Sequence, residues 1–446
     1  MENEKDLLFR ELRTRARAME SELIALRRDL HRHPELGWQE LRTSALIAKR
    51  LRALGFDQVL VGDQVCDRDS RMGVPASETL AAHARELLAQ GEDPALLAAM
   101  EGGMTGVIGI LRCGPGPVAA LRFDMDALPI SEPEDAAHAP AAEGFRSQAP
   151  GIMHACGHDG HVAIGLGVAQ VLAALRQQLR GTVKLIFQPA EEEVRGAKSI
   201  VEKGHLEDVD YLLGSHLRSD APGPGIGLGP NRTLATAKLD ACFLGKAAHA
   251  GLAPDRGNNA MLAACTAVLN LHAIPRYGAA PTRINVGKLK AGSGRNVVCD
   301  RAELELEVRG LTDDANAFMT DYARRILQAA AEMHGCRVEI RLRGEAKGDC
   351  NSPALVERVG GLCREKLGLP VTELPDGAGG YISEDYSFLS QRVQSHGGQS
   401  CYFMNLTGCK APLHDSRFDF REEALVQGVL AFTGITAELL MPEETE

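Results

Sequence analysis

The sequence predicts an α/β protein in which a smaller α+β domain is inserted into a larger α/β domain. Short apolar runs read as buried strands, and a helical stretch at about 160–179 separates the second run from the third. These runs span 107–111, 118–123, 183–187 and 211–213. Strands that alternate with helices are typical of a largely parallel sheet. Further along, the patterns follow the order β-α-β-β-α-β of a ferredoxin-like split unit.

The remaining elements follow from the same periodicities. Near the start of the chain we expect a helix at 6–31. An inserted segment follows at 62–103; it is polar at first, then helix-like, and it ends at Gly102-Gly103. The inserted domain is predicted to contain strands at 237–244, 283–289, 303–309 and 338–342 and helices at 258–274 and 313–334. A composition shift at 221–225 precedes it, and a helix at 353–367, a glycine-rich loop at 377–380, a strand at 400–405 and a helix at 422–440 follow it. The sequence therefore predicts a larger domain at 1–229 and 345–446 and an inserted domain at 230–344.

Composition excludes several classes of protein. The 446 residues include 44% hydrophobic and 24% charged residues, and the net charge is −11, the wrong sign for a nucleic-acid partner. We see no apolar stretch near the roughly 18 residues that span a bilayer, and the charged start Met1-Glu2-Asn3-Glu4 is unlike a signal peptide. The 11 cysteines are scattered singly, which suits a reducing compartment. We expect a cytoplasmic protein without nucleic-acid or membrane partners.

The densest cluster of reactive side chains is His154-Ala155-Cys156-Gly157-His158-Asp159-Gly160-His161. Its histidines, cysteine and aspartate are ligands that divalent ions such as Zn²⁺ or Mn²⁺ accept, and they precede a predicted helix. Two alternatives stay open. In the first, the segment binds no metal and is a capped helix start with exposed histidines. In the second, it supplies a Cys/His nucleophilic pair.

Carboxylates and a histidine follow three of the predicted strands. They are Asp124-Met125-Asp126 after 118–123, Gln188-Pro189-Ala190-Glu191-Glu192-Glu193 after 183–187, and His216 after 211–213. Sites in open α/β sheets form at the carboxyl ends of strands, so these groups should converge. Three adjacent carboxylates alone would indicate a solvated charge run. At this edge, a carboxylate beside a metal ligand can instead act as a base toward a metal-bound water.

Single polar groups elsewhere in the chain are further candidates for the site. His414 follows the last predicted strand and a loop, so it either returns to the same edge or is an exposed loop residue. In the inserted domain, His249 and the pair Arg295-Asn296 lie in loops of small residues. Glycine permits a close backbone approach there, so these loops are candidates for contacting a ligand.

The ordered motifs together resemble the co-catalytic metallo-amidohydrolases, which include hippurate hydrolase, auxin-conjugate hydrolases and N-acyl amino acid deacylases. The motifs are Leu30-His31-Arg32-His33-Pro34-Glu35, Asp124-Met125-Asp126-Ala127-Leu128-Pro129, Met153-His154-Ala155-Cys156-Gly157-His158-Asp159 and Gln188-Pro189-Ala190-Glu191-Glu192. The insertion, with Ser70-Arg71-Met72-Gly73 and Glu101-Gly102-Gly103, is typical of one branch of that family. The resemblance covers nearly the whole chain. It implies a co-catalytic metallopeptidase-type α/β domain with an inserted ferredoxin-like dimerisation or lid domain.

The resemblance also implies roles for single residues. The implied metal ligands are Cys156, His158, Glu192, His216 and His414. Glu191 matches the general base, and Asp124 matches a carboxylate that orients a ligand from behind. Glu193 departs from the pattern because relatives usually have glycine there, so which two of the three carboxylates act stays open.

Residues of the inserted domain would complete the site. His249 matches a histidine that, in dimeric relatives, reaches the partner's active site and supports the tetrahedral intermediate. Asn259, Arg295, Asn296 and Arg309 are candidates for holding the carboxylates of the substrate, since arginine pairs with a carboxylate through two hydrogen bonds. We therefore expect a homodimer, or a heterodimer with a related second subunit.

The expected reaction is metal-assisted amide hydrolysis that releases glutamate from an aromatic acyl group. The resemblance implies two divalent ions per chain, Mn²⁺ first and Zn²⁺ as the alternative, because Cys156 suits Zn²⁺. A different N-acyl or N-aminoacyl amino acid is an alternative substrate. A non-catalytic partner of such an enzyme is the third hypothesis, and the intact set of ligands and base argues against it.

Overall fold

The computed structural model describes residues 4–218, 223–376, 382–408 and 411–441, and the strands form two sheets. The strands are β1 (Gln58–Val61), β2 (Val107–Arg112), β3 (Val118–Asp124), β4 (Thr182–Gln188), β5 (Tyr211–Arg218), β6 (Gly225–Leu228), β7 (Ala235–Leu244), β8 (Thr282–Ala291), β9 (Arg301–Gly310), β10 (Arg337–Ala346), β11 (Val371–Glu373) and β12 (Gln399–Leu406). The helices are α1 (Glu4–Ala18), α2 (Glu20–Arg32), α3 (Leu41–Ala53), α4 (Ser77–Ala89), α5 (Pro94–Ala99), α6 (Ala139–Ala142), α7 (His158–Ala174), α8 (Ala197–Glu202), α9 (Ala260–His272), α10 (Asp313–Met333), α11 (Pro353–Leu362), α12 (Tyr386–Ser395) and α13 (Glu423–Leu440).

The larger sheet has the strand order β1-β2-β4-β3-β5-β12-β6-β11. Its centre, β4-β3-β5-β12, is parallel as predicted, and so is the pair β6–β11. The pairs β1–β2, β2–β4 and β12–β6 are antiparallel, so the sheet is more mixed than predicted. The connection 113–117 between β2 and β3 is too short for the crossover that parallel strands need, and β2 therefore runs opposite to β3.

Helices cover both faces of the larger sheet. Successive residues of a strand point to opposite faces, and β4 shows this directly. Leu185 and Phe187 enter one hydrophobic core, while Ile186 enters the other. The helices α1, α2, α7 and α13 pack together over the first core, and α8 and α12 pack over the second. The α/β class predicted from the sequence is confirmed.

Several boundaries differ from the predictions. The helix predicted at 6–31 is interrupted at Met19 and forms α1 and α2. The helix predicted at about 160 begins at His158, because the left-handed Gly157 (φ 90°) turns the chain into it. The sequence patterns missed several elements, among them α3, α8, α12, β1, β6 and β11. The glycine-rich loop predicted at 377–380 lies outside the described residues, as does part of the predicted domain exit at 221–225.

The helix α13 corrects the expectation about apolar stretches. It has 18 residues and is long and apolar enough to cross a membrane by length and composition. However, 83% of it is buried inside the protein, where it packs against α1, α2 and α7. A helix at the centre of a folded core is apolar on every side, so it also meets the length and composition criteria for a membrane-spanning helix.

The smaller sheet has the strand order β10-β7-β9-β8, and all its pairs are antiparallel. Together with α9 and α10 it shows the predicted order β-α-β-β-α-β. Leu239, Leu306 and Val308 lie in the core between this sheet and its helices. Because strand residues alternate between faces, Lys238, Glu307 and Arg309 lie on the face without helices.

Candidate metal centre

The carboxyl ends of the central strands bring the predicted polar groups to one level of the sheet. Asp124 is the last residue of β3 and lies opposite Gln188, the last residue of β4. His216 lies near the end of β5, opposite Met404 of β12. The Glu191-Glu192 pair follows β4 directly. The convergence that the sequence predicted is therefore present.

The turn into α7 presents Cys156 and His158 to this edge. Gly157 separates them, and a Cβ atom at this position would lie 3.3 Å from a Leu217 side-chain carbon. Nδ1 of His158 is 2.8 Å from the backbone oxygen of Asp126 and donates to it. Its Nε2 is buried and has no hydrogen-bond partner among the described residues. His158 is thus held in the tautomer that leaves Nε2 free to bind a metal.

His216 is oriented in the same way. Its Nδ1 donates to the backbone oxygen of Leu217 at 2.8 Å. Its Nε2 lies 3.3 Å from Sγ of Cys156. A histidine that donates through one ring nitrogen to a backbone carbonyl offers the other nitrogen as a ligand.

We name residues 190–194 the acidic turn. The backbone N–H groups of Glu191 and Glu192 each donate to one carboxylate oxygen of Asp126, both at 3.0 Å. The side chains of Glu191 and Glu192 are 11% and 9% exposed, whereas that of Glu193 is 63% exposed. Among the three carboxylates that the sequence left open, the first two are therefore buried beside the donor groups, whereas the exposed Glu193 lies on the wall of the cavity in front of them. Sequence reasoning did not assign this holding role to Asp126, although its motif was recognised.

His414 returns to the same edge, as one of its two readings predicted. Its backbone N–H donates to the Ala155 carbonyl at 2.8 Å. Its Nε2 lies 3.5 Å from Oε1 of Glu192. The side chain is 54% exposed, so His414 forms the solvent side of the cluster.

Two donor groups share one thiol. Cys156, His158 and His216 offer donor atoms that all lie within 4.8 Å of one another, and so do Cys156, Glu192 and His414. Within the described part of the chain, a buried carboxylate oxygen, Oε1 of Glu192, has no hydrogen-bond partner, like Nε2 of His158. Buried polar atoms without partners are costly unless something binds them. Thiolate, imidazole and carboxylate donors suit a divalent ion such as Zn²⁺ or Mn²⁺, so the residues fit a pair of metal ions.

The pKa values of these groups reflect a buried site. Burial raises the pKa of the Cys156 thiol well above its usual value, and the Glu192 carboxylate adds to this. Burial also raises the pKa of Glu192 to about 7, against the opposing effect of His158. For His158, burial lowers the pKa, but Asp124, Asp126 and Glu192 together outweigh it and bring the value to about 10. A bound cation would favour the deprotonated form of all three groups.

Asp124 forms its direct hydrogen bond with His161 rather than with a metal donor. Nδ1 of His161 donates to Oδ1 of Asp124, and Nε2 of His161 accepts the backbone N–H of Leu217 at 2.9 Å. Both ring nitrogens of His161 are therefore occupied, and it is not a free ligand. The charge of Asp124 also lies 3.8 Å from Nε2 of His158. Burial raises the pKa of Asp124, but the cations around it hold the pKa well below the usual value.

A buried arginine balances the carboxylates behind the site. Nη1 of Arg122 donates to Oδ2 of Asp124 at 2.5 Å. Its Nη2 donates to Glu384 at 2.9 Å and to Asp385 at 3.1 Å. Arg122 is 1% exposed, and a buried charge of this kind must be paired. The sequence analysis missed this network, because Arg122 lies in a run that reads as an apolar strand.

Glu191 lies beside this network. Carboxylate oxygens of Glu191, Glu384 and Asp385 are within 4.8 Å of one another. Burial raises the pKa of Glu191 well above its usual value, and the negative charge of Glu384 adds to this. Glu384 itself is held by the Tyr402 hydroxyl, which donates to it at 2.8 Å. The negative charge of Glu384 therefore adds to the effect of burial on Glu191, while burial also raises the pKa of Glu192.

Four predicted site residues of the inserted unit, which is formed by β7–β10, α9 and α10, lie away from the metal donors of the same chain. His249 is exposed, and its Nδ1 accepts the backbone N–H groups of Gly251 and Leu252, both at 3.1 Å. Arg295 and Asn296 are exposed in the neighbouring loop. Asn259 caps α9, where its side chain accepts backbone N–H groups at 3.0 and 3.3 Å. The fold does not bring these residues to the metal donors of their own chain.

A cavity of about 600 Å³ opens beside the donor groups. Donor residues, cations and apolar side chains line it, including Cys156, Glu191, Glu192, His216, His414, Arg218, Arg232, Lys238, Arg309, Val194, Tyr402, Met404 and Leu413. Burial lowers the pKa of His414, and the charges of His158 and Lys238 contribute to this. Arg309 is the predicted substrate-binding residue that the structure places in this cavity.

Paired donor groups at the edge of an α/β sheet, with a buried glutamate beside them and a cavity in front, define a metal-dependent hydrolase. Residues 120–438 match the sequence profile of peptidase family M20/M25/M40. The chain belongs to this family, and it is a metallo-amidohydrolase.

Individual relatives extend the match over most of the chain. An indole-3-acetyl-aspartic acid hydrolase of Enterobacter agglomerans is 43% identical over 419 residues, 93% of this chain and 95% of that protein. A p-aminobenzoyl-glutamate hydrolase subunit of Escherichia coli (strain K12) is 44% identical over 408 residues, 90% and 92% of the two chains. The resemblance read from the motifs is therefore confirmed.

Solved structures agree with the fold. An aminobenzoyl-glutamate utilization protein of Klebsiella pneumoniae superposes with a TM-score of 0.80 at 36% identity, covering 95% of this chain and 97% of that one. A Bacillus subtilis protein described as a dinuclear metal binding peptidase of the M20 family has a TM-score of 0.65 at 26% identity, covering 95% and 99%. The co-catalytic metallopeptidase-type fold expected from the sequence is confirmed.

Proposed function

We propose that this enzyme hydrolyses the amide bond of p-aminobenzoyl-glutamate and releases p-aminobenzoate and glutamate, in the use of folate catabolites. The observation that carries the proposal is the cavity, in which the metal donors and Glu191 face the cations Lys238 and Arg309. Lys238 and Arg309 each pair with Glu307 at 3.0 Å, and cationic side chains that line the same cavity as the donors suit a dicarboxylic leaving group. Apolar side chains such as Val194 and Leu413 offer a surface for an aromatic ring.

A second candidate is another acidic conjugate of an aromatic acid. The Enterobacter agglomerans relative, named for indole-3-acetyl-aspartic acid, is as similar to this chain as the p-aminobenzoyl-glutamate relative. Both names describe an aromatic acyl group joined to an acidic amino acid. The cationic cavity suits either leaving group.

Two metal sites form the centre of the proposal. One would use Cys156, His158 and His216, and the other Cys156, Glu192 and His414, with the thiolate shared between them. Divalent ions held there, Mn²⁺ first and Zn²⁺ as the alternative, would polarise the scissile carbonyl and lower the pKa of a water molecule.

Glu191 is the proposed general base. It would accept the proton of the attacking water and then deliver it to the nitrogen of the leaving amine. Its raised pKa suits a group that must both take and return a proton. Asp124 would hold the histidine side of the site in place through its contacts with His161 and His158.

The proposed dimer would bring in the residues that lie away from the cavity. We assign the larger domain to 1–229 and 345–446 and the dimerisation or lid domain to 230–344. Exposed apolar side chains on the latter, Leu252 at 82%, Leu262 at 51% and Leu269 at 75%, support an interface there. His249 of one chain would then support the oxyanion in its partner, and Asn259, Arg295 and Asn296 would join Arg309 around the carboxylates of the substrate.

The partner is a second copy of the chain or a related second subunit. The second possibility is supported by the names of two relatives, each of which describes one subunit of a p-aminobenzoyl-glutamate hydrolase or its homologue. A cytoplasmic location is part of the proposal. It is supported by the scattered cysteines, which are free among the described residues.

A panel of matched substrates tests this function. The purified chain, supplied with Mn²⁺ or Zn²⁺, is given p-aminobenzoyl-glutamate, its glutamine analogue, indole-3-acetyl-aspartate and hippurate. We expect kcat/KM for the glutamate compound to exceed that for the glutamine analogue by at least about tenfold, since only the former offers the cations a second, γ-carboxylate. Faster hydrolysis of indole-3-acetyl-aspartate would favour the second candidate. No hydrolysis of any compound by the metal-loaded chain would favour the non-catalytic partner.

A further inference from the structure

The acidic turn adopts an unfavourable backbone. Ala190, Glu193 and Val194 have φ values of 51°, 65° and 60°, a region that residues with a side chain rarely occupy. Such a conformation persists only when the surrounding structure holds it in place. The turn carries Glu191 and Glu192, so whatever holds it also sets the position of both carboxylates.

Arg195 is one of the groups that hold the turn. Its Nε donates to the backbone oxygen of Glu192 at 2.8 Å, and its Nη1 donates to the backbone oxygen of Gly73 at 3.2 Å. The side chain is 12% exposed. Close packing surrounds it, since a Cβ atom on Gly37 would lie 2.4 Å from Nη2 and a Cβ atom on Gly73 would lie 2.5 Å from Cδ. One guanidinium thus joins the acidic turn to the segment inserted at 62–103.

The insertion is itself fixed where Arg195 contacts it. The backbone oxygen of Met72 accepts the indole N–H of Trp38 at 2.8 Å. Arg71 donates to the backbone oxygen of Gly102 at 2.7 Å, which closes the two ends of the insertion on each other. Its guanidinium also lies over the Trp38 ring, 5.2 Å from the ring centre. The motifs Ser70–Gly73 and Glu101–Gly103 therefore form one fixed support.

A second connection runs from the end of the insertion to the other end of the turn. The hydroxyl of Thr105 donates to Glu40 at 2.6 Å, and the other carboxylate oxygen of Glu40 accepts the backbone N–H of Ala190 at 2.8 Å. Glu40 is buried. The turn is thus held at Ala190 through Glu40 and at Glu192 through Arg195.

We propose that Arg195 is a positioning residue and that the insertion at 62–103 supports the metal centre by holding the acidic turn through it. Arg195 touches neither the cavity nor the donor atoms. It acts on the backbone that carries Glu192, so its loss should weaken the metal site to which Glu192 belongs. This inference rests on the proposed assignment of Glu192 as a metal ligand.

The test compares Arg195→Met, which removes both hydrogen bonds, with Arg195→Lys, which keeps the charge but lacks the fork that reaches two carbonyls. Each full-length holoenzyme is dialysed against a graded series of chelator-buffered Mn²⁺, and bound metal per chain is counted. We expect one of the two ions to bind roughly tenfold to a hundredfold more weakly in Arg195→Met, as is usual when a group that orients a ligand is lost. Arg195→Lys should lie between Arg195→Met and the parent.

A matched pair of glycine variants approaches the same contact from the insertion. Gly73 (φ 59°) and Gly91 (φ 91°) are both left-handed and both lie in the insertion. A Cβ atom on Gly73 would lie 2.5 Å from Cδ of Arg195 and 2.9 Å from the backbone oxygen of Arg343, whereas one on Gly91 would meet nothing within 4 Å among the described residues. We expect Gly73→Ala to lose the same ion as Arg195→Met and Gly91→Ala to keep both.

Two results would overturn the proposal. One is wild-type metal binding in both Arg195→Met and Gly73→Ala. The other is a loss of metal that Gly91→Ala shares, which would mean that the insertion acts on general stability alone. The variant Glu192→Gln distinguishes a wrong role for Arg195 from a wrong assignment of Glu192 as a metal ligand. If Glu192→Gln keeps both ions, Glu192 is not a ligand; if it loses one while Arg195→Met keeps both, only the role of Arg195 is wrong.

Discussion

Glu191 and Glu192 are neighbours in the chain, but they have different surroundings. Glu192 shares a donor group with Cys156 and His414, and its Oε1 has no hydrogen-bond partner in the described part of the chain. Glu191 lies against Glu384, whose charge contributes to its raised pKa. A carboxylate with an unpaired oxygen near a thiol and an imidazole suits a metal ligand, whereas one that lies among other carboxylates suits a base. Different environments thus support different proposed roles for two identical side chains.

Replacing the proposed base should separate chemistry from metal binding. We expect Glu191→Gln to lower kcat by about 10²-fold to 10⁴-fold, because the amide cannot take the proton from water. Its metal content, counted in the same preparation, should match that of the parent. Glu192→Gln is the matched control and should lose metal instead. If Glu191→Gln loses metal in proportion to its activity, the roles of the two glutamates are reversed.

Among the elements, the acidic turn depends least on its own sequence for its shape. Three non-glycine residues within it are left-handed, and the backbone is held by Asp126, Glu40 and Arg195. The inserted unit adds a contact, since the backbone N–H of Glu345 donates to Val194 at 2.9 Å. The β-bulge in β10 between Leu342 and Gly344 precedes this contact. Contacts from distant segments therefore impose a conformation that the local residues disfavour.

Glu193 offers a measurement of this strain. Its side chain is 63% exposed and lies 3.9 Å from Arg195, so the ion pair contributes little. We expect Glu193→Gly to raise the free energy of unfolding by about 0.5–1 kcal/mol, because glycine takes φ values near 65° without strain, although it also gains more freedom on unfolding. Urea unfolding of the metal-free protein measures this change.

Glu193→Ala is the control for the carboxylate, since it removes the charge and keeps the Cβ atom. We expect it to be no more stable than the parent. Equal stabilisation by alanine and glycine would mean that charge repulsion in the turn, not backbone strain, is what the substitution relieves.

At the scale of the whole molecule, His249 lies on the smaller unit, away from the metal donors of its own chain. It is exposed in a loop held by backbone contacts with Val297 and Leu252. The proposed dimer would bring it to the partner's cavity. In that arrangement each active site would depend on two chains.

Complementation tests the shared site. His249→Ala and Glu191→Gln should each be inactive alone. After subunit exchange of an equal mixture, we expect about a quarter of wild-type activity, because half of the dimers would be mixed and each would hold one intact site. The measurement is turnover of p-aminobenzoyl-glutamate, with exchange verified by mass-tagged chains. If exchange is complete and no activity returns, His249 does not serve a partner's site.

The sequence by itself determined the α/β class, the inserted β-α-β-β-α-β unit and the motif residues that meet at the edge of the sheet. Hydrophobic periodicity and metal-ligand spacing are local properties, so they can be read along the chain. Only the tertiary structure decided which glutamates face the site, and that Asp126 holds their backbone. It also decided that Arg122 joins Asp124 to Glu384, which lies 262 residues away from Arg122. Contacts of this kind depend on how distant segments pack, and no local pattern records that packing.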